Sequence, residues 1–497
     1  MTGGPAARSR VAQPQESTHA AGPSSAASGP EGFLSLRDPA GKRLGHPPFT
    51  NQTICGAKWH PIGFLVCLFV AVSTASAEDW PRWRGPRGDG TWQAPPLPAR
   101  WPAEQLPIKW RQPIGGGYAG VVARDEYVYV FERRTADQAA EVAAGQAEAS
   151  STWQGERERL LCFALEDGRP IWTHEYPVRY GQLDYGNGPR AAPTIHENRL
   201  YAMGALGHAC CLHAETGKLI WSHDFFAAER QPDEPLAKEL LPEWGLAASP
   251  VVVGELVIFH PGCKPGGCFV ALDRATGNEV WRSGDDPAGY ATPIEIERGG
   301  RRELVAWTPE HVLGLAVDTG KILWSVPYKV TYGVSIATPI YADGIVLVTG
   351  YWEGTKAIKL GDAPADATLA WEENRYLRGL MSQPLVRDGL VFSIDKSNGL
   401  TCFELATGRI LWNDDNRMTP RGRNPQATMV WTSSSDRVLV LNSDGELILA
   451  RFTREGYVEQ SRTKLIGPTW AHPAYAADCI FARDDHELVC AELRAAK

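Results

Sequence analysis

Positive charge is in short supply in this chain, where 50 Lys and Arg stand against 58 Asp and Glu in 497 residues. The resulting net charge of −8 weighs against sequence-blind binding to nucleic acid or to an anionic membrane, because both rest on basic patches. Long apolar runs are missing too. The run Ile62 to Val72 is short of the ~20 apolar residues that a bilayer span needs. It follows Lys58 and His60 and gives way to STASA, with Ala75 and Ala77 spaced as small residues at a cleavage site. Residues 61–77 therefore read as a secretory signal peptide rather than an anchor. Periodic apolar residues are absent from 1–60, so that stretch cannot bury enough surface to offset its chain entropy. It is expected to be a disordered leader, or one included by a start assigned too early. Six basic and three acidic residues precede Glu78, leaving 44 basic and 55 acidic side chains and a net charge of −11 in the expected mature protein, 78–497.

A disulfide framework is the next absence. Eight cysteines follow the signal segment, which in an exported protein invites pairing. However, Cys162, Cys211 and Cys402 each stand six residues before a recurring glycine, where other copies have Ala271 and Gly314. A position that accepts Cys, Ala or Gly is a small buried packing site. Cys263 and Cys268, in PGCKPGGC, lie in a tight loop that could bridge them or leave them free.

What the chain does have is repetition. The stretch LTCFELATGRILW, Leu400 to Trp412, recurs as LLCFALEDGRPIW, CCLHAETGKLIW, FVALDRATGNEVW and LGLAVDTGKILW, ending at Trp172, Trp221, Trp281 and Trp324. In every copy the glycine (Gly168, Gly217, Gly277, Gly320, Gly408) lies four residues before the tryptophan. An acidic or hydroxyl residue followed by Gly makes a hairpin turn. The tryptophan on the return strand offers area to seal one sheet against the next, while its N–H seeks a partner. Upstream of each hairpin lies a second strand pair opening on a small-polar-Pro signature such as AAPTI, AASPVVV, YATPIEI or IATPIYA, with Pro tolerated at a strand start or edge. Four strands per repeat follow.

Weaker copies complete the count. Repeat five keeps Trp371 but loses the turn glycine, repeat seven loses the tryptophan, and repeat eight stops after three strands. LPIKWRQPI around Trp110 is an orphan strand, and pairing it with the last three closes the ring without an unpaired edge. The expected fold is all-β, an eight-bladed propeller of four-stranded antiparallel blades closed by an N-terminal strand. Two insertions break the period: an Ala- and Glu-rich one at 133–158, placed between strands two and three of blade one and able to form a helix, and one at 226–244 between blades two and three.

The pattern A-x-D-x-x-T-G-x-x-x-W, clearest as ALDRATGNEVW at 271–281, resembles the repeat of the pyrroloquinoline-quinone-like β-propeller superfamily, and covers nearly all of 78–497. The opening DWPRWRGPRGDG resembles the mature start of exported propellers of that superfamily. The resemblance implies one of two functions. Quinoprotein alcohol dehydrogenases hold the quinone and Ca²⁺ on the propeller axis; other members, similar to the propeller lipoprotein of the outer-membrane β-barrel assembly machinery, are not catalytic. The dehydrogenase reading needs a carboxylate and amide set for Ca²⁺, a general-base Asp and, in many members, two adjacent cysteines. No ligand set matches here, and Cys210-Cys211 is the one adjacent pair, with Cys211 already at the packing position. The lipoprotein reading lacks a lipobox cysteine at the cleavage site, since Cys67 lies inside the apolar run. A glycoside hydrolase or lyase would need paired carboxylates across the axis.

The expectation is therefore an exported, monomeric, non-catalytic scaffold of the periplasm or cell envelope. It would bind an envelope or extracellular protein without a cofactor, and touch membrane only through an uncleaved signal segment or a partner. The alternative is a dehydrogenase dependent on pyrroloquinoline quinone and calcium. Three residues before the strand-one Pro, at the expected funnel mouth, the copies show Tyr118, Arg190, Ala247, Tyr290, Ile336, Met381, Gln426 and Trp470. Of these, Tyr118, Arg190, Tyr290 and Trp470 are the residue types enriched in binding sites; the same side chains could instead plug a narrow channel.

Overall fold

The computed structural model describes residues 77–101, 105–135, 155–379, 381–422, 424, 426–433 and 436–494. The chain divides into two compact units, Met1–Ala71 and Val72–Lys497, and all described residues belong to the second. The expected leader and signal segment, apart from Ala77, lie outside the described residues. No helix among the described residues is long and apolar enough to cross a membrane.

Among its described residues the second unit forms eight sheets. Six are meanders of four consecutive antiparallel strands, a seventh is such a meander with the short parallel strand Thr91–Trp92 added at its edge, and the eighth joins the strand Ile108–Pro113 to Glu487–Glu492, Cys479–Arg483 and Ala474–Ala476. Trp110 faces Cys490 in that pairing, so the ring closes as expected. The strand pattern explains the burial: an inner strand such as Ile345–Gly350 is buried throughout, whereas an outermost strand such as Ala367–Glu373 has no buried residue.

The repeated tryptophan and glycine meet across blades rather than within one. The ring of Trp110, Trp172, Trp221, Trp281 and Trp371 lies on the turn glycine of the next blade: Gly168, Gly217, Gly277, Gly320 and Gly408 respectively. A Cβ at any of these glycines would come within 3.0 Å of ring carbons. Each indole N–H then donates to a carbonyl three residues before that glycine: Leu165 (3.0 Å), Ala214 (2.9 Å), Arg274 (3.2 Å), Val317 (2.9 Å) and Leu405 (2.9 Å). Glycine is required twice over, because the turn also needs positive φ, +68 at Gly320 for example.

The same geometry explains the small site. Cys162, Cys211, Ala271, Gly314, Ala357, Cys402 and Cys490 each lie directly opposite the tryptophan of the adjoining strand, where only a short side chain leaves room for the indole. All eight cysteines among the described residues are free and buried, Cys263 and Cys268 included. Cys210 packs in the core shared with blade one and Cys211 in the core shared with blade three, so the adjacent pair points to opposite faces.

Blade five, which lost the turn glycine, joins its neighbour differently. Trp324 donates to Glu303 Oε2 (3.2 Å), and Glu303 forms a buried ion pair with Arg298 (2.9 Å). Arg298 also donates to the carbonyls of Gly361, Ala363 (2.8 Å), Pro364 (3.0 Å) and Asp366 (3.3 Å). An arginine clamp thus holds the loop that a tryptophan cap secures at the five junctions above.

The Ala- and Glu-rich insertion falls between strands two and three of blade one, and its 136–154 portion lies outside the described residues. The other insertion links blades two and three and contains one 3-10 turn, Lys238–Leu240.

Candidate functional site

The axis is filled by a segment that the repeat does not account for. In DWPRWRGPRGDGTW, Trp80 exchanges backbone hydrogen bonds with Ala123 of blade one (both 2.9 Å), and Pro81 O accepts from Ile195 N of blade two (2.7 Å). Trp83 Nε1 donates to Thr338 Oγ1 of blade five (2.8 Å), and Arg84 Nη2 donates to Pro384 O before blade six (2.9 Å). Thr91–Trp92 then adds a fifth, parallel strand to blade seven, while the Trp83 ring packs against His472 before blade eight (4.1 Å between centroids, planes tilted by 39°). Six of the eight blades hold this plug. Trp83 lines cavities on both sides of it: one of ≈ 400 Å³ beside Arg82, Glu295 and Glu297, and one of ≈ 120 Å³ at the funnel mouth.

The mouth cavity brings together all eight residues of the expected ring, Tyr118, Arg190, Ala247, Tyr290, Ile336, Met381, Gln426 and Trp470, with Tyr185, Trp244, Gln383, His472 and Trp83 completing it. The rings form a continuous arc: Tyr118 to Trp470 (6.2 Å), Trp470 to Tyr185 (5.3 Å), Tyr185 to Trp244 (5.7 Å), Trp244 to Tyr290 (4.8 Å). The two aromatics that sequence reasoning missed, Tyr185 and Trp244, come from the connections entering blades two and three. They stand outside the repeat, and the length of the 226–244 insertion was the one signal for Trp244.

Arg190 is committed to this architecture. Its guanidinium lies over Tyr118 (4.6 Å) and donates to the carbonyls of Trp244, Asp184 (3.1 Å) and Gly186 (2.7 Å). It therefore ties the Tyr185 loop to the Trp244 loop. Burial lowers its pKa and raises those of Tyr118 and Tyr290; Trp244 N–H donates to the Tyr290 hydroxyl (3.3 Å). Tyr185 reaches across to blade seven, where its hydroxyl accepts from Asn424 Nδ2 (3.3 Å). Gln383 uses its carbonyl on Thr338 N (2.7 Å) and its amide on Met381 O (3.2 Å). Gln426 Nε2 donates to Trp470 O (3.3 Å), but its Oε1 is buried without a partner.

A second aromatic group stands on the same face. Tyr332 (79% exposed) and Trp352 (44%) are 6.1 Å apart, and Lys396 Nζ lies 4.1 Å over Tyr351 and 4.7 Å over Trp352. Strand one runs away from the mouth, so connections from strand four to strand one and from strand two to strand three share the mouth face. Tyr185, Tyr332 and Tyr376 occupy the former and Trp352 the latter.

Neither mouth nor plug fits an axial quinone with Ca²⁺. The cavity has the volume of one ring, its floor is Trp83, and no group of three His, Cys, Asp or Glu among the described residues could hold a metal ion.

Fold and repeat together define a propeller of pyrroloquinoline-quinone-like repeats similar to BamB. The family described as outer membrane protein assembly factor BamB matches residues 156–414 and 308–494, and the chain belongs to that family. BamB of Xanthomonas campestris pv. campestris is 23% identical over 191 residues, 38% of this chain and 41% of the relative. A 1-butanol dehydrogenase (quinone) of Thauera butanivorans is 27% identical over 154 residues, 28% of this chain and 23% of the relative. The chain thus spans less than half the length of the curated relatives it matches. A quinohemoprotein alcohol dehydrogenase from Pseudomonas putida HK5 shares the fold with a TM-score of 0.52, at 11% identity over 84% of this chain and 81% of that one.

Proposed function

We propose that this protein is an exported, non-catalytic scaffold of the cell envelope, whose mature part is 78–497, and that it acts as a monomer binding a protein partner through the mouth face. One observation carries the reading. Among the described residues, all four exposed large aromatics, Tyr185, Tyr332, Trp352 and Tyr376, stand on that face, whereas the other exposed large hydrophobics, Leu219, Ile220, Val280, Ile322, Leu369, Ile410 and Val458, lie on outermost strands. Exposed Tyr and Trp on rigid loops are the anchors from which protein interfaces draw most of their affinity. Membership in the BamB family favours an envelope partner, and the misfit of the axis favours a scaffold over the quinone- and calcium-dependent dehydrogenase.

The test uses Tyr332→Ser combined with Trp352→Ser, both exposed, so the melting temperature stays within ~1 °C. Cross-linking in the envelope fraction should lose a specific adduct that the wild type forms. Retention of every adduct by the double variant overturns the reading. So does alcohol-dependent dye reduction by the wild type supplied with pyrroloquinoline quinone and Ca²⁺, which would install the dehydrogenase in its place.

A further inference from the structure

We infer that the partner meets the exposed aromatics of blades five and six with an acidic segment, a short stretch of chain whose carboxylates pair with Lys396 and Arg375; this rests on the scaffold reading and names the chemistry that the mouth face receives. Acidic side chains outnumber basic ones in this chain, 58 to 50, yet these two cations rest on rings instead of carboxylates. Lys396 Nζ lies 4.1 Å over Tyr351 and 4.7 Å over Trp352, and the Arg375 guanidinium lies 5.1 Å over Tyr376. Among the described residues, neither head group has a carboxylate within 4 Å or an oxygen accepting a hydrogen bond from it. A ring face attracts a cation but replaces little of the hydration that its N–H donors lose. The two loops form one surface: Lys396 N–H donates to Arg378 O (3.1 Å), and a Cβ on Gly354, in the turn bearing Trp352, would come 2.3 Å from the Cα of Asn374.

The acids of these loops are turned the other way. Glu373 accepts from the backbone N–H groups of Arg375 (3.0 Å), Tyr376 (2.6 Å) and Leu377 (2.7 Å). Asp395, 1% exposed, accepts from those of Arg378 (3.0 Å), Ser397 (2.8 Å) and Asn398 (3.0 Å), and lies 3.8 Å from Arg378 Nε. Glu353 accepts from the N–H and hydroxyl of Thr331 (2.9 and 2.6 Å). Negative ends thus brace the backbone, while positive ends lie on the rings that face solvent. Burial against those rings lowers the Lys396 pKa, and Arg378 lowers it further against the opposing pull of Asp395 and Glu353; a carboxylate docked on the ammonium relieves that penalty. A neutral apolar segment would cover the rings and leave both cations desolvated without a partner. A basic segment would meet Arg375, Arg378 and Lys396 together. An anionic membrane is read by clusters of about four to eight basic residues, whereas these cations suit a segment with about two or three carboxylates.

Fluorescence anisotropy tests this with two labelled peptides titrated with the full-length protein: Asp-Glu-Phe-Glu-Asp, and its uncharged counterpart Asn-Gln-Phe-Gln-Asn. The wild type should bind the acidic peptide roughly tenfold or more tightly at about 50 mM salt, the span of one charge-assisted hydrogen bond, and the preference should shrink at about 500 mM. Lys396→Gln combined with Arg375→Gln should bring the two peptides to within about twofold. Lys218→Gln combined with Lys321→Gln removes as much charge from exposed strand-three to strand-four turns, on the opposite face, and should leave the preference intact. Arg375→Gln alone, at an exposed position, serves if the first pair fails to fold. Equal affinity of the wild type for both peptides overturns the proposal, as does no binding of either, or a preference that survives loss of Lys396 and Arg375. Capture by phosphatidylglycerol vesicles without binding of the acidic peptide overturns it in favour of a lipid surface. Failure of the acidic peptide while the Tyr332 and Trp352 double variant still loses its adduct removes the acidic segment and leaves the scaffold. Retention of every adduct by that double variant removes the scaffold itself, whatever the peptides do.

Discussion

Substituting Gly320 by alanine separates two costs that the repeat combines. Gly320 has φ +68, and a Cβ there would lie within 3.0 Å of three ring atoms of Trp281. Gly389 has the same φ, +68, yet a Cβ would meet nothing within 4 Å. Holding an alanine in the left-handed region costs about 1–2 kcal/mol at either position. Pressing a methyl into a packed indole adds about 1–3 kcal/mol, because the ring must slide off the turn and stretch the Trp281 bond to Val317 O. Gly389→Ala should therefore destabilise by about 1–2 kcal/mol and Gly320→Ala by about 2–5 kcal/mol. Urea unfolding followed by far-UV circular dichroism measures both. Trp281→Ala supplies the cross-check: in that background Gly320→Ala should fall back to the Gly389 value, since the clashing ring is gone. Equal costs for the two glycines in the wild-type background, or no coupling with Trp281, would refute the claim that the turn glycine is a seat for the neighbouring blade's tryptophan.

The remaining expectations concern the core. Trp281→Ala or Trp324→Ala should cost ~3–5 kcal/mol, and a loss below ~1 kcal/mol in the same titration would place these side chains outside the blade interfaces. Arg298→Met should be among the most destabilising single changes, by ~3–5 kcal/mol, because it strands the buried Glu303 carboxylate; adding Glu303→Leu should recover part of the loss, and no recovery would contradict the clamp. Burial holds the His260 pKa down, to about 4 from 6.5. Its contribution is therefore fully present above about 6.5 and is lost as pH falls toward about 4, where the unfolded chain takes up a proton that the folded site refuses. His260→Gln should flatten the fall in urea midpoint between pH 7 and pH 4.5, and an unchanged slope would show that His260 does not set it.

The repeat alone determined the architecture, since hairpin turns, a tryptophan that one hairpin cannot bury and eight strand-one starts leave few alternatives to a closed ring. It also determined the mouth ring, because a position fixed relative to strand one in every blade must converge on the axis. What it could not show was which blade each tryptophan touches. The turn glycine and tryptophan are four residues apart in sequence, but the contact that matters lies between copies, and only the stacking of blades establishes it. The Arg298 and Glu303 clamp was hidden for the same reason: a missing glycine in blade five is answered by an ion pair in blade four.

Tyr185, Trp244 and the plug were beyond reach because they lie outside the periodicity, where nothing local constrains a side chain's destination. The sequence marked Arg190 as a binding residue by its type; only its backbone partners, which the structure supplies, show that it also braces two loops. Sequence periodicity encodes whatever every blade repeats, whereas the site depends on groups that occur once, and those are positioned by long-range contacts that exist only after the ring has closed.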